Sequence, residues 1–121
     1  MKRILVIAAI GAALVAAAPA RASVTTKQFL ELYYSPDGQD LGALRIQAME
    51  QGLHEMNSYV AKTRKEQPVY CQPDPLVLTA SQLADMVKRA ADKDSKLEDQ
   101  SLESTLLGAL QATFPCAQPA K

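Results

Sequence analysis

The sequence predicts an all-α protein, a compact bundle of about four helices with one disulfide. Apolar side chains recur at three- and four-residue spacing in several separate segments. No segment alternates apolar and polar residues as a strand does, and the one Asp-Gly pair, at Asp37 and Gly38, joins two helical patterns. The chain also contains two cysteines, Cys71 and Cys116, which suit a single bridge.

Residues 1–22 have the pattern of a secretory signal peptide. Lys2 and Arg3 precede an apolar run of about 15 residues, and small residues at Ala20 and Ala22 suit a signal peptidase. A membrane-spanning helix needs roughly 20 apolar residues, so a retained anchor is the weaker alternative. We therefore expect export to the periplasm, with no membrane association after cleavage.

Cleavage after Ala22 would leave residues 23–121 as a single helical domain. It would remove Lys2, Arg3 and Arg21 from the 13 basic residues and leave all 13 acidic residues, so the mature chain is mildly acidic. Nucleic acid and anionic membrane surfaces both require clustered basic side chains. The charge balance therefore argues against both as partners.

Cys71 and Cys116 are predicted to form a disulfide, because exported proteins fold in an oxidising compartment. A bridge closing a loop of about 45 residues contributes roughly 3–4 kcal/mol to stability. The alternative is a redox or metal site. The sequence has no Cys-x-x-Cys motif and only one histidine, so we favour the structural bridge.

The first helical pattern spans residues 23–34, and Thr25 or Thr26 can cap it. The sequence Ser-Pro-Asp-Gly at residues 35–38 then predicts a turn. The residues expected on the buried face of this first helix are Phe29, Leu30 and Tyr33.

The second and longest helix is predicted from Asp40 to about Lys65. Gly52 lies inside the pattern, where it indicates either close contact with another helix or a simply tolerated glycine. The apolar residues expected to face the core are Leu41, Leu44, Ala48, Met49, Leu53, Met56 and Val60.

Pro68 stops this helix, and the prolines that follow favour an extended segment over residues 69–75. Thr79 and Gln82 have the spacing of a capping box and open the third helix. The residues predicted on its apolar face are Leu83, Met86, Val87 and Ala90.

A polar connection over residues 92–100 follows, with a second capping-box pattern at Ser95 to Glu98. The last helix runs from about Leu102 and is ended by Pro115. A bridge from before the third helix to the end of the fourth would make these two helices an antiparallel hairpin, linked at its open end.

The residues for catalysis are missing from the sequence. His54 is the only histidine, and a serine or cysteine nucleophile would need it as a base. Zinc needs three or four clustered ligands, and phosphate loops need several glycines. We therefore predict no enzyme activity, no metal and no cofactor, and we interpret the domain as one that binds a macromolecule.

The second half of the chain carries an ordered set of short motifs. They are Tyr70-Cys71-Gln72-Pro73, Thr79 followed by Gln82-Leu83, Leu106-Leu107-x-Ala109-Leu110, and Phe114-Pro115-Cys116. This set resembles the C-terminal half of the Rap/Tai immunity proteins, which are periplasmic partners of the cell-wall amidase toxins delivered by type VI secretion. The resemblance covers residues 69–116. The first half departs from the family, because Met49 stands where an aromatic residue is usual and a further cysteine pair is missing.

The resemblance implies a homodimeric immunity protein that binds a peptidoglycan amidase and fills its active-site cleft with a protruding polar segment. We expect this segment between the third and fourth helices, where the alternative is an ordinary solvated turn. The residues predicted to contact the partner are Lys93, Asp94, Lys96 and Asp99.

Two other functions fit the same sequence. One is a periplasmic chaperone or stress protein that exposes apolar surface when acid protonates its carboxylates. The other is an envelope-assembly factor of the same fold with no toxin partner.

Overall fold

Four α-helices and one short 3-10 helix account for most of residues 23–118, the part of the chain that the computed structural model describes. The predicted all-α class is therefore confirmed. The predicted signal peptide, residues 1–22, lies outside the described residues. The helices are α1 (Thr26–Tyr33), α2 (Gln39–Lys62), α3 (Ala80–Lys93), the 3-10 helix (Ser95–Asp99) and α4 (Leu102–Thr113).

No helix within residues 23–118 is both long enough and apolar enough to cross a membrane. The same residues contain no β-strand, and a single isolated bridge joins Thr25 to Ser101. This bridge places the start of α1 beside the start of α4.

Side-chain caps fix the starts of three helices. Thr25 and Thr79 each form a capping box, with Gln28 and Gln82 as the reciprocal partners, which confirms the Thr79 prediction. Ser101 caps α4 by accepting a hydrogen bond from the backbone N–H of Ser104, at 3.2 Å. Each cap satisfies backbone donors that the first helical turn leaves unpaired.

The capping box predicted at Ser95 is wrong. Ser95 lies inside the 3-10 helix, and Asp94 caps that helix by accepting a hydrogen bond from the backbone N–H of Lys96, at 3.1 Å. In a 3-10 helix the hydrogen bonds span three residues, so Glu98 cannot serve as the third residue of an α-helical cap.

The core is built by all four helices together with the segment before α3. Phe29 and Tyr33 of α1 are buried, with their ring centroids 5.7 Å apart. The faces predicted for α1 and α3 are confirmed, with Leu30 and Ala90 partly buried at their edges. The fully buried large apolar side chains are Tyr70, Phe29, Ile46, Leu83, Leu102, Leu106, Leu110 and Val87.

The apolar face predicted for α2 is only half right. Met49 and Leu53 pack against the core, and Ile46 is fully buried. Leu44 and Met56, by contrast, are 66% and 62% exposed. The helix carries apolar side chains on two faces, and the bundle covers one of them. Leu41 and Ala48 are also exposed, and Val60 is half-buried.

The close helix contact expected at Gly52 occurs at Gly42 instead. A Cβ atom at Gly42 would lie 3.0 Å from the Cα atom of Tyr33, so only glycine lets α1 and α2 approach this closely. At Gly52 no heavy atom lies within 4 Å of the position that a Cβ would take. Gly52 therefore has no packing role among residues 23–118.

The predicted disulfide is present. Cys71 and Cys116 are joined with an S–S distance of 2.07 Å and a Cα–Cα distance of 4.9 Å. The backbone N–H of Cys71 also donates to the carbonyl of Phe114, at 2.8 Å. Gln82 near the start of α3 shares a cleft with Thr113 at the end of α4, so the predicted antiparallel hairpin with its bridge at the open end is confirmed.

Asn57 holds the extended segment before α3 against α2. Its side-chain amide donates to the carbonyl of Tyr70, at 2.8 Å, and its side-chain oxygen accepts from the backbone N–H of Val69, at 2.6 Å. One side chain thus pairs two backbone groups in a region without regular secondary structure. This contact places the Tyr70 ring in the core.

The hydroxyl of Tyr70 is buried and has no hydrogen-bond partner within the described residues. The side chain is only 1% exposed, and a buried polar group without a partner destabilises the folded state by about 1–3 kcal/mol. Burial, followed by the nearby Glu50 carboxylate, raises the pKa of Tyr70 to about 12 from its ordinary value of 10.0. The folded state therefore favours the protonated phenol.

Tyr70→Phe is accordingly expected to leave stability at pH 7 unchanged or to raise it by about 1 kcal/mol. Above pH 10 the unfolded tyrosine ionises first, so the wild type loses stability as the pH rises from about 10 to 12, and the variant lacks this loss. Urea unfolding at pH 7 and pH 11 measures both effects, with the exposed Tyr59→Phe as control. A clear loss of stability in Tyr70→Phe at pH 7 would contradict this account.

Candidate partner-binding surface

The connection between α3 and α4 is an ordered turn. The backbone N–H of Leu97 donates to the carbonyl of Asp94, at 3.0 Å, and that of Gln100 donates to the carbonyl of Leu97, at 3.1 Å. The side chain of Asp94 caps the same turn through the N–H of Lys96. Because its backbone groups are paired internally, this segment presents its side chains from a fixed framework.

The base of this turn is held by the start of α1. The backbone N–H of Thr26 donates to the carbonyl of Gln100, at 2.9 Å. The hydroxyl of Thr26 donates to the hydroxyl of Thr105 on α4, at 2.8 Å, and both threonines are buried. The N–H of Leu102 donates to the carbonyl of Val24, at 2.9 Å. These bonds tie α1, the turn and α4 into one unit.

The four residues predicted to contact a partner all lie on the exposed side of this turn. Leu97 and Glu98 are half-buried and anchor the segment from within. Among the ion pairs found within residues 23–118, the one nearest to the turn in sequence joins Lys88 to Asp92. Both residues lie on α3, outside the turn. The exposed residues, with alternating charge, are Lys93, Asp94, Lys96 and Asp99.

A groove of about 390 Å³ lies directly beside the turn, between the second half of α3 and α4. Met86 and Ala90 of α3, Leu97 of the turn and Ala109 of α4 give it an apolar lining. Arg89 and Lys93 add positive charge on the α3 side. The remaining lining residues are Asp94, Ser104, Thr105, Gly108, Ala112 and Thr113.

The structure divides the four predicted residues into two pairs. Lys93 and Asp94 line the groove, whereas Lys96 and Asp99 lie on the turn outside it. A partner that covers both the turn and the groove would therefore contact charged and apolar side chains together.

The sequence analysis did not predict this groove. It is open because small residues occur every fourth position on α4, at Ser104, Gly108 and Ala112. A Cβ at Gly108 would meet no heavy atom within 4 Å. This spacing was the signal available in the sequence, since residues four apart share one face of a helix.

His54 lies in the middle of α2 and is half-buried. It borders two shallow clefts with Gln72, and neither cleft shares a lining residue with the α3–α4 groove. In the part of the chain that the structure describes, no group of three or more His, Cys, Asp or Glu side chains could hold a metal ion.

The motif residues that carry the family resemblance have structural roles in this chain. Cys71 and Cys116 form the disulfide, Tyr70 is buried, and Thr79 and Gln82 cap α3. They gather near the open end of the α3–α4 hairpin, while the charged turn is at the other end. The motifs thus describe the architecture of the hairpin. Comparisons with family models, with curated proteins and with solved structures found no match to this chain.

Proposed function

We propose that this protein is a periplasmic immunity protein that binds a cell-wall amidase toxin of type VI secretion and occludes its active-site cleft. The observation that carries the proposal is the ordered, charged turn beside the α3–α4 groove. An exposed charged segment next to an apolar groove suits a surface that enters a cleft and packs against its rim.

The turn is held in one conformation by its own hydrogen bonds, and this supports a mechanism of occlusion. Binding usually costs free energy because side chains and loops lose freedom at the interface, and a segment ordered beforehand loses less. The apolar groove supplies area for burial, and an interface of standard size buries about 1,600 Å² in total. The alternating charges on the turn would select among amidases, because like charges facing each other oppose binding.

The disulfide supports the compartment that this function requires. Stable disulfides form in oxidising compartments, which include the bacterial periplasm. The bridge between Cys71 and Cys116 therefore agrees with the export that we expect from residues 1–22.

The environment of Glu50 does not supply the acid-triggered opening that the chaperone hypothesis needs. Burial raises the pKa of Glu50, and the folded state therefore favours its protonated form. This contribution to stability is present below the ordinary pKa of the carboxyl and is lost as the pH rises through the raised value. At this position acid stabilises the fold, whereas the chaperone hypothesis needs acid to open it. Dye binding and anti-aggregation activity at low pH would show that acid opens the fold, and would favour the chaperone hypothesis.

The charges on the turn give the functional test. Lys93→Glu combined with Lys96→Glu is expected to weaken amidase binding at least tenfold, because reversed charges next to a partner cost 1.4 kcal/mol or more in all. The measurement is rescue of cells from lysis when the mature chain and an amidase toxin are both sent to the periplasm, with affinity by calorimetry.

The matched control is Lys62→Glu combined with Lys65→Glu, which makes the same charge change on two exposed residues, one at the end of α2 and one just beyond it. We expect this control to rescue as the wild type does. Equal rescue by both pairs would exclude the turn as the contact. A folded wild type that rescues cells from none of the amidases tested would overturn the proposed function.

A further inference from the structure

A small cleft lies between the middle of α2 and the segment that precedes α3. Glu50 and His54 of α2 form its polar side, and both are half-buried. Leu76 and Val77 form its apolar side, and both are exposed, Val77 to 83%. A carboxyl group therefore lies in the same cleft as an exposed apolar surface.

The carboxyl group of Glu50 forms no ion pair and no hydrogen bond within residues 23–118. Burial raises its pKa, and the nearby His54 opposes this by lowering it. The carboxylate also lies close enough to the buried Tyr70 hydroxyl to raise the pKa of that phenol. Because a half-buried carboxylate without a fixed cation is destabilised as an ion, a cationic ligand would gain free energy by pairing with it.

Gln72 supplies a second acceptor in the same cleft. Its side-chain N–H donates to the carbonyl of Leu76, at 2.7 Å, and this bond fixes the orientation of the amide. Its side-chain oxygen is buried and has no hydrogen-bond partner within the described residues. The carboxylate of Glu50 and this oxygen both accept hydrogen bonds, so the cleft favours a ligand that carries donors and positive charge.

We propose that this cleft binds the guanidinium group of an arginine side chain on a partner protein. A guanidinium has several N–H donors, no acceptor and a permanent positive charge, and it forms paired hydrogen bonds with a carboxylate. The aliphatic part of the side chain then lies against Leu76 and Val77, as arginine stems do on apolar surfaces. The ammonium group of lysine lacks the planar fork that spans two acceptors.

The size of the cleft, about 120 Å³, limits the ligand. Pockets for drug-sized molecules measure about 300–1,000 Å³, so this cleft has room for one side chain. Because Val77 is largely exposed, the backbone of a partner can approach the cleft from that side. The cleft shares no lining residue with the α3–α4 groove, and the inference does not depend on the amidase.

Titration of the mature chain with a capped Gly-Arg-Gly peptide tests this assignment, with the NMR chemical shifts of the backbone amides as the readout. We expect saturable shifts at residues 50–54 and 72–78, with weak affinity because one side chain buries little area. Glu50→Gln keeps the size of the side chain and removes its charge, and it should weaken binding about fivefold or more. The folded state favours the uncharged form of Glu50, so this variant is expected to fold.

The matched control is Glu55→Gln, which removes the same charge from an exposed position of α2 outside the cleft and should bind as the wild type does. A capped Gly-Lys-Gly peptide should bind several times more weakly than the arginine peptide. Free propylguanidine should shift the same amides as the arginine peptide.

The proposal is overturned if the arginine peptide gives no saturable shifts at tens of millimolar, or if Glu50→Gln binds it as well as Glu55→Gln does. Equal binding of the lysine and arginine peptides would overturn the choice of a guanidinium. Binding of propylguanidine without binding of the arginine peptide would overturn the assignment to a protein side chain.

Discussion

Replacing Cys71 and Cys116 together by serine is expected to lower the free energy of unfolding by about 4 kcal/mol. The two residues are 45 positions apart, and the bridge removes conformational freedom from the unfolded chain across that loop. A domain of this size has a total stability of about 5–15 kcal/mol, so the loss is a large share of it. We expect the double variant to unfold at much lower urea concentration.

The effect should be greatest at the open end of the α3–α4 hairpin. There the bridge works together with the hydrogen bond from the N–H of Cys71 to the carbonyl of Phe114. Without the covalent link, the extended segment before α3 is held mainly by Asn57 and by the burial of Tyr70 and Leu78. Amide exchange over residues 69–78 should therefore accelerate more than exchange in the middle of α4.

Reduction of the wild type provides the control for this variant. Urea unfolding with and without a strong reductant should show the same loss, whereas the serine variant should not respond to the reductant. If the serine variant loses less than 1 kcal/mol, the bridge does not restrict the unfolded chain as the entropic account requires.

Most of the local signals in the sequence predicted local structure correctly, and the capping-box pattern at Ser95 to Glu98 is the exception. The capping box at Thr79 and Gln82, the turn at residues 35–38 and the cysteine pair each act over few residues or by a covalent bond, and each was predicted correctly. The buried face of α3 was equally clear, because its apolar residues occupy one side of the helix.

Helix α2 shows why the rest of the fold was harder to predict from the sequence. Apolar residues occupy two of its faces, and periodicity alone ranks neither above the other. The choice is made by the contact between Gly42 and Tyr33, where the missing Cβ lets α1 settle against one face. That contact joins residues of two helices, and helical spacing within α2 contains no information about it.

The sequence predicted the exposed residues of the candidate site but not the groove beside them. A polar run between two helices indicates exposure, and the exposure of Lys93, Asp94, Lys96 and Asp99 is observed. The groove beside them depends on how α3 and α4 lie against each other, which follows from the whole core. The internal order of the turn depends on Asp94 and on the Thr26 contact from a distant part of the chain.

Phe29→Ala is expected to lower the free energy of unfolding by about 3–5 kcal/mol, the usual cost of emptying a buried aromatic position. Phe29 is fully buried and lies at the centre of the inner face of α1, with its ring next to that of Tyr33. Helix α1 has only eight residues, and isolated helices shorter than about 12 residues are barely stable in water. Its structure therefore depends on this burial more than on its own hydrogen bonds.

The loss should extend beyond α1, because Thr26 of the same helix holds the base of the charged turn through Gln100 and Thr105. Amide exchange at residues 94–100 is therefore expected to accelerate in Phe29→Ala along with exchange at residues 26–33. Val77→Ala, at a side chain that is 83% exposed, is the control and should change stability by less than about 0.5 kcal/mol. If α1 loosens while the turn keeps its protection, the turn is supported by its own 3-10 hydrogen bonds and the Thr26 contacts are dispensable for it.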